Sequence, residues 1–254
     1  MENDLLKVKD LSFSYHSLYG ETPALDHISF TVKKGEFLAI VGPSGCGKST
    51  ILSLIAGLLT PGSGHITFYS DTGTKPGIGY MLQHDHLFEW RSIRKNVILG
   101  LEIAKKCTPE NLQRIDNMLK TYGLADFADK KPGELSGGMK QRAALIRTMA
   151  LEPEILLLDE PFSALDYQTR LSVSADIASI IRKAQKTAIL ITHDLSEAIS
   201  LSDRVLVLSK RPATVKAEFP IFLTLSDTSP LAARKAPEYT SYFNRIWEEI
   251  SYED

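Results

Sequence analysis

Residues 42–49 read GPSGCGKS, a glycine-rich run closing on a lysine and a hydroxyl residue. Gly42, Gly47, Lys48 and Ser49 fit the spacing G-x-x-x-x-G-K-[ST], which needs a strand before it and a helix after it. The run FLAIV precedes it and STILSLIAGLL follows it, so both contexts are met. Glycines let the backbone wrap phosphate oxygens closely, and successive N–H groups then form an anion-binding nest. A helix start near Lys48 adds its positive dipole end. The expected nucleotide-binding loop is Gly42, Pro43, Ser44, Gly45, Cys46, Gly47, Lys48, Ser49 and Thr50, with the Lys48 ammonium on the terminal phosphates and the Ser49 hydroxyl on Mg²⁺. A second apolar run, ILLLDE (155–160), ends in two acids. In P-loop enzymes a carboxylate here holds Mg²⁺, which suits Asp159. Glu160, one residue on, points elsewhere and is placed to polarise a water for attack on the γ-phosphate. A strand end that merely meets a polar loop would also carry acids; the pairing with the phosphate loop is what favours nucleotide chemistry. The chain has no Asn-Lys-x-Asp run, so adenine is the expected base.

LSGGMKQR (135–142) builds a second helix start of the anion-binding kind. Ser136 is an N-cap residue type, Gly137 and Gly138 free the backbone, and a helical pattern follows. One nucleotide rarely needs two such sites from one chain, so a second subunit offering this loop across an interface is the expected solution. The stretch resembles the signature of ATP-binding cassette (ABC) ATPases, and further motifs agree in the family's order over nearly the whole chain. In that resemblance Tyr15 is the aromatic that stacks on adenine. Gln83 senses Mg²⁺ and the γ-phosphate and links to the membrane partner. SALD (163–166) crosses the dimer interface, and His193, after TAILIT, is the switch histidine at the γ-phosphate. The implied catalytic set is Glu160, His193, Gln83 and Lys48, and the implied Mg²⁺ ligands are Ser49, Gln83 and Asp159. The implied assembly is a head-to-tail dimer with two ATPs between P-loop and opposite signature, on the cytoplasmic face of the membrane against permease subunits, with an extracytoplasmic solute-binding protein behind them.

The segments YMLQHDHLFEWRSIRKNVILGLE (80–102) and LSDRVLVLSKRPATVKAEF (201–219) resemble the nitrate/sulfonate/taurine importer group, although Glu89 stands where that group often has proline. The function implied is an energy-coupling ATPase of an importer for a small anionic or nitrogen- or sulfur-containing solute. An exporter ATPase and a cytosolic non-transport ATPase of the same family are the alternatives; a small-molecule P-loop kinase is disfavoured by LSGGMKQR. The tail after VLVL is too short for a large C-terminal regulatory domain. Leu87, Phe88 and Trp90 are candidates for an apolar permease-facing surface, with Leu87 better read as core. His84-Asp85-His86 lacks third and fourth ligands at metal-site spacing. Cys46 sits where a helix N-terminus lowers a thiol's pKa, but a small filler residue is the preferred interpretation.

These groups need a frame to hold them. Phe37–Val41, Ile155–Leu158, Ala188–Ile191 and Arg204–Leu208 are near-continuous apolar runs, as in parallel strands covered on both faces. The stretch from Leu5 to Lys34 alternates instead and predicts antiparallel strands at one edge, with a loop near Gly20–Pro23. Thr108 and Pro109 predict a helix start, Leu112, Ile115, Leu119 and Tyr122 its buried face, and Gly123 its stop. Residues 138–151 predict another helix, and Phe243, Ile246, Trp247 and Ile250 the stripe of a C-terminal one. The expected fold is therefore α/β: a P-loop NTPase (RecA-like) core, 36–86 with 152–210, carrying an antiparallel β subdomain (5–35), a helical insert (87–151) and a tail (211–254). Composition agrees with one globular chain of 254 residues, 43% hydrophobic and 24% charged. A net charge of −2 gives no general attraction to nucleic acid. Two cysteines cannot make a disulfide framework. MENDLLKVKD lacks the basic-then-apolar pattern of a signal peptide.

Overall fold

The computed structural model describes residues 4–18, 20–69, 75–225 and 230–251. The ends of the chain and residues 226–229 of the expected tail lie outside them. Two sheets organise the chain. The larger contains β3 (Phe37–Val41), β5 (Ile78–Met81), β6 (Ile155–Asp159), β7 (Thr187–Ile191), β8 (Arg204–Leu208) and β9 (Val215–Pro220), in the spatial order β5-β6-β7-β3-β8-β9. Its first five strands are mutually parallel and β9 closes the edge antiparallel. β3, β6 and β7 are buried at every residue, which is why their sequences run apolar without alternation.

The smaller sheet contains β1 (Asp4–Ser17), β2 (Gly20–Lys33) and β4 (Ser63–Phe68), in the order β2-β1-β4 and antiparallel throughout. Here two expectations need correcting. The alternating N-terminal strands are not an edge of the main sheet but a sheet of their own, completed by β4. The cause is a separate core face: Leu6, Val8, Leu11, Ile28 and Val32 bury onto α1 (Lys48–Ala56), whose other contacts include Leu38 and Ile40 of β3. Six of its nine residues are buried because both sheets cover it. The chain reversal also falls at Ser17–Gly20, not at Gly20–Pro23, and Pro23 already pairs with Ser14. An outer strand tolerates a proline whose missing N–H would face away from the ladder.

The two sheets are tied by a part-buried charge fork. The Arg204 guanidinium donates to Glu36 Oε1 at 2.6 Å and Oε2 at 3.1 Å, to Glu218 Oε1 at 2.8 Å, and to the Thr31 carbonyl of β2.

The helical insert has its own core. Leu87 and Leu135 pack with residues of α2 (Ile93–Val97), α3 (Leu99–Ile103), α4 (Pro109–Thr121) and α5 (Gly137–Met149). The α4 boundaries follow from its caps. Thr108 Oγ1 accepts from Asn111 N at 3.3 Å, Pro109 takes the first helical position, and Gly123 turns left-handed at φ +70°. α6 (Tyr167–Lys183) and α7 (Leu195–Leu201) cover the main sheet, followed by α8 (Pro230–Lys235) and α9 (Tyr239–Ser251). In α9 Ile246 is fully buried against Val205 and Val207, with Phe243 and Ile250 beside it. Trp247 departs from the expected stripe. It is 56% exposed and stacks on Phe243 with centroids 6.4 Å apart. Among the described residues no helix is long and apolar enough to cross a membrane.

Candidate nucleotide site

In an open parallel sheet, loops leaving the carboxyl ends of neighbouring strands converge. Here β3 delivers the glycine-rich loop, β6 delivers Asp159 and Glu160, β7 delivers His193, and β8 leads to Arg211. A cleft of about 290 Å³ results, lined among others by Tyr15, Gly45, Lys48, Thr50, Glu160 and Arg211.

The loop is held from outside as well as by its own sequence. Gly47 sits at φ +122°, and a Cβ there would lie 2.8 Å from Leu25 Cδ2 and 3.0 Å from the Ala24 carbonyl. Glycine is thus required twice over, for its backbone angle and for the approach of β2. Lys48 is buried; its Nζ donates to the Gly42 and Pro43 carbonyls, each at 2.9 Å. Tyr15 is 45% exposed, its hydroxyl 3.0 Å from Thr50 Oγ1 and its ring edge-on to Phe13. Cys46 is buried, and burial pushes its thiol pKa up despite the positive charges of Lys48 and Arg211. Desolvation outweighs the charges and hydrogen bonds that would lower it, so the thiolate is disfavoured here.

Ser49 Oγ donates to Asp159 Oδ1 at 2.9 Å, and Tyr80 donates to Asp159 Oδ2 at 3.3 Å. Burial raises the Asp159 pKa and pushes the Tyr80 hydroxyl up to about 12. A hydroxyl beside a desolvated carboxylate is the hard oxygen donor set that Mg²⁺ takes, so the residues fit that ion. Glu160 stands in a left-handed conformation at φ +44°, a strained position for a side chain with a Cβ. Its N–H donates to Ile191 O, and its Oε2 is 3.0 Å from His193 Nδ1. A carboxylate at the cleft wall, oriented by an imidazole, is suited to holding and deprotonating a water.

The His193 loop is fastened from behind. Thr192 Oγ1 donates to Glu197 Oε2 at 2.7 Å and accepts from Asp194 N at 3.0 Å. Asp194 caps α7 through Ser196 N and Glu197 N. Arg170 lies 3.7 Å from Asp194 Oδ2 and donates to Leu165 O at 3.0 Å, joining the 163–166 loop to the histidine loop. Asp166 caps α6 by accepting from Thr169 N. Gln83 is exposed, its Nε2 3.3 Å from Ser163 Oγ.

The structure does not bring every sequence-predicted residue to the cleft. Ser136, Gly137 and Gly138 are absent from its lining and start α5 against α6. Ser136 Oγ accepts from Met139 N, and a Cβ on Gly138 would lie 2.7 Å from Val173 Cγ2. Ser136 and Gly137 are exposed. Leu87 is core, whereas Trp90 is 73% exposed beside Phe88, with ring centroids 4.8 Å apart. Their loop is pinned by Arg147, which donates to the Asp85 and His86 carbonyls. Tyr80, Arg170, Glu197 and Arg211 join the site without a motif in the sequence that marks them. Tyr80, Arg170 and Arg211 act across long sequence separations, brought in by the parallel β5–β6 pairing, the α6–α7 packing and the β8–β9 turn, whereas Glu197 is bound locally to Thr192.

A phosphate loop after β3, a buried acid at the end of β6 and a Glu–His pair at the same carboxyl edge of the sheet define a P-loop nucleotide hydrolase. Residues 25–163 match the family described as ABC transporter. The chain is 45% identical over 251 residues to the uncharacterized ABC transporter ATP-binding protein YtlC of Bacillus subtilis, covering 97% of this chain and 95% of that protein. It is 40% identical to the nitrate import ATP-binding protein NrtD of Synechocystis (95% and 93% covered). It is 37% identical to the taurine import ATP-binding protein TauB of Roseobacter denitrificans (96% and 94% covered). Among solved structures, the dimeric structure of a bacterial ABC transporter cassette superposes with a TM-score of 0.72 at 30% identity, covering 86% of this chain and 99% of that one. The chain belongs to the ABC transporter family, as an ATP-hydrolysing cassette.

Proposed function

We propose that this cassette is the energy-coupling subunit of an importer for a small anionic or nitrogen- or sulfur-containing solute. Support for the solute class comes from the nitrate and taurine importers among its relatives. It works as a head-to-tail dimer on the cytoplasmic face of the membrane. There its helical insert, 87–151, meets a permease served by an extracytoplasmic solute-binding protein. Gln83, bonded to Ser163 of the 163–166 loop, and exposed Trp90 are the contacts that would carry the signal.

The observation that carries the dimer is the one-sided cleft. The P-loop, Tyr15 and Glu160 line it, while the helix start at Ser136–Gly138 is absent from its lining and exposes Ser136 and Gly137. An exposed helix N-terminus of this length is an anion site in search of a phosphate. A second copy turned head to tail would supply it.

Tyr15 stacks on adenine, the 42–50 loop wraps the phosphates, and Lys48 exchanges its loop carbonyls for the terminal phosphates. Ser49, Asp159 and Gln83 are the residues that would hold Mg²⁺, which when bound neutralises phosphate charge. Glu160 orients and deprotonates the attacking water. His193 holds Glu160 and contacts the γ-phosphate, so loss of that phosphate frees the loops at the interface. The test is Glu160→Gln with ATP and Mg²⁺ in sedimentation velocity. A stable dimer with hydrolysis nearly abolished is expected; normal turnover in this variant contradicts the role given to Glu160.

A further inference from the structure

The turn between β8 and β9, within the 201–219 segment, reaches the nucleotide cleft. Arg211 donates to the Gly45 carbonyl from Nη2 at 2.9 Å and from Nε at 3.2 Å, and its side chain lines the cleft mouth. The turn that presents it is closed by its own bonds. Ser209 N donates to Thr214 O at 3.0 Å, and Thr214 N donates to Ser209 Oγ at 2.9 Å. It is also stitched to β2: Ala213 N donates to Ala24 O, and Asp26 N donates to Ala213 O, both at 2.9 Å. Ala213 is fully buried. The guanidinium is therefore delivered by a fixed backbone, beside the β2 segment that also hems in Gly47.

The geometry points to Arg211 as a nucleotide-affinity residue of this cleft: it fastens the Gly45–Cys46 peptide of the phosphate loop and adds a cation at the mouth that favours a nucleoside triphosphate. A trans peptide sets its C=O and N–H on opposite sides. Holding the Gly45 carbonyl fixes the opposite-facing Cys46 N–H, which donates to Pro43 O at 3.3 Å. Gly45 itself is left-handed at φ +72°, a residue type whose peptide planes rotate easily without such an anchor. The fixed positive charge near Lys48 adds long-range attraction that grows with the number of phosphates. This rests on the assignment of the cleft as the ATP site.

The test measures equilibrium ATP and ADP binding to wild-type protein, Arg211→Ala, Arg211→Lys and Lys48→Ala at low and high salt, with kcat and KM alongside. Arg211→Ala should weaken ATP binding roughly five- to tenfold, the discounted value of an exposed charge-assisted bond. ADP should lose less, the gap should narrow in salt, and kcat at saturating ATP should move by less than about twofold. Arg211→Lys should keep the salt-sensitive preference for ATP over ADP but recover only part of the affinity, because an ammonium lacks the two-donor fork. Unchanged ATP affinity in Arg211→Ala, with binding lost in Lys48→Ala, overturns the role of Arg211 and leaves the cleft intact. A fall in nucleotide-free melting temperature matching the affinity loss also overturns it, by making Arg211 structural. Absence of ATP binding by the wild-type protein removes both assignments.

Discussion

Glu197 is a carboxyl buried behind the His193 loop, and burial pushes its pKa from the ordinary 4.5 up to about 7. Its Thr192 hydrogen bond and the charges of Arg170 and His193 pull the other way, and Asp194 adds to the rise. The folded protein therefore holds a proton that the unfolded chain has released between those two values. Stability must fall as pH rises through this window and level off above about pH 7. A shift of ~2.5 units at ~1.4 kcal/mol each amounts to ~3 kcal/mol over the whole window. Glu197→Gln keeps an oxygen for the Thr192 hydroxyl and resembles the protonated acid, but has no charge to bury. Urea unfolding of both proteins at about pH 5 and about pH 8 should show the variant gaining ~2 to 3 kcal/mol relative to wild type on going to the higher pH. Parallel stability profiles across that range would refute the burial argument.

Arg204→Met, removing the fork between the sheets, should cost about 3 kcal/mol because it takes the guanidinium from the Glu36 carboxylate, whose side chain is only 10% exposed and keeps the Lys33 N–H; chemical denaturation measures this. Arg170→Ala should lower kcat on the order of tenfold with ATP affinity retained, since the loops carrying Leu165 and His193 lose their shared tie; a raised KM with normal kcat would place Arg170 elsewhere. Cys107 is exposed and Cys46 buried, so a thiol reagent at neutral pH should label Cys107 first, with Cys46 following at the rate of local opening; peptide mass spectrometry reads the order.

What the sequence disclosed and what it concealed have physical causes. The phosphate loop and the acids at the end of β6 were legible because their function depends on contiguous backbone, and so was the α4 boundary, set by local caps at Thr108 and Gly123. β3, β6, β7 and β8 were legible because burial on both faces leaves an unbroken apolar run. β4, β5 and β9 were not. β5 is short and carries Gly79, where a Cβ would lie 2.8 Å from Thr148 Cγ2, and β4 is exposed over half its length. The site residues that escaped notice are ones whose partners lie far along the chain, such as Tyr80 with Asp159 and Arg211 with Gly45. An arginine in a surface turn carries no local signature of the carbonyl it will meet.

The shared nucleotide site is open to a complementation measurement. Lys48→Ala disables the P-loop half, and Ser136→Glu places a negative charge on the opposing helix start; each alone should hydrolyse almost no ATP. Mixed one to one, they form a heterodimer in which one site joins an intact P-loop to an intact signature. ATPase activity should then return to about a quarter of wild type, from half the pairs carrying one working site each. A mixture as inactive as its parts would mean that both halves act within one chain, contradicting the dimer.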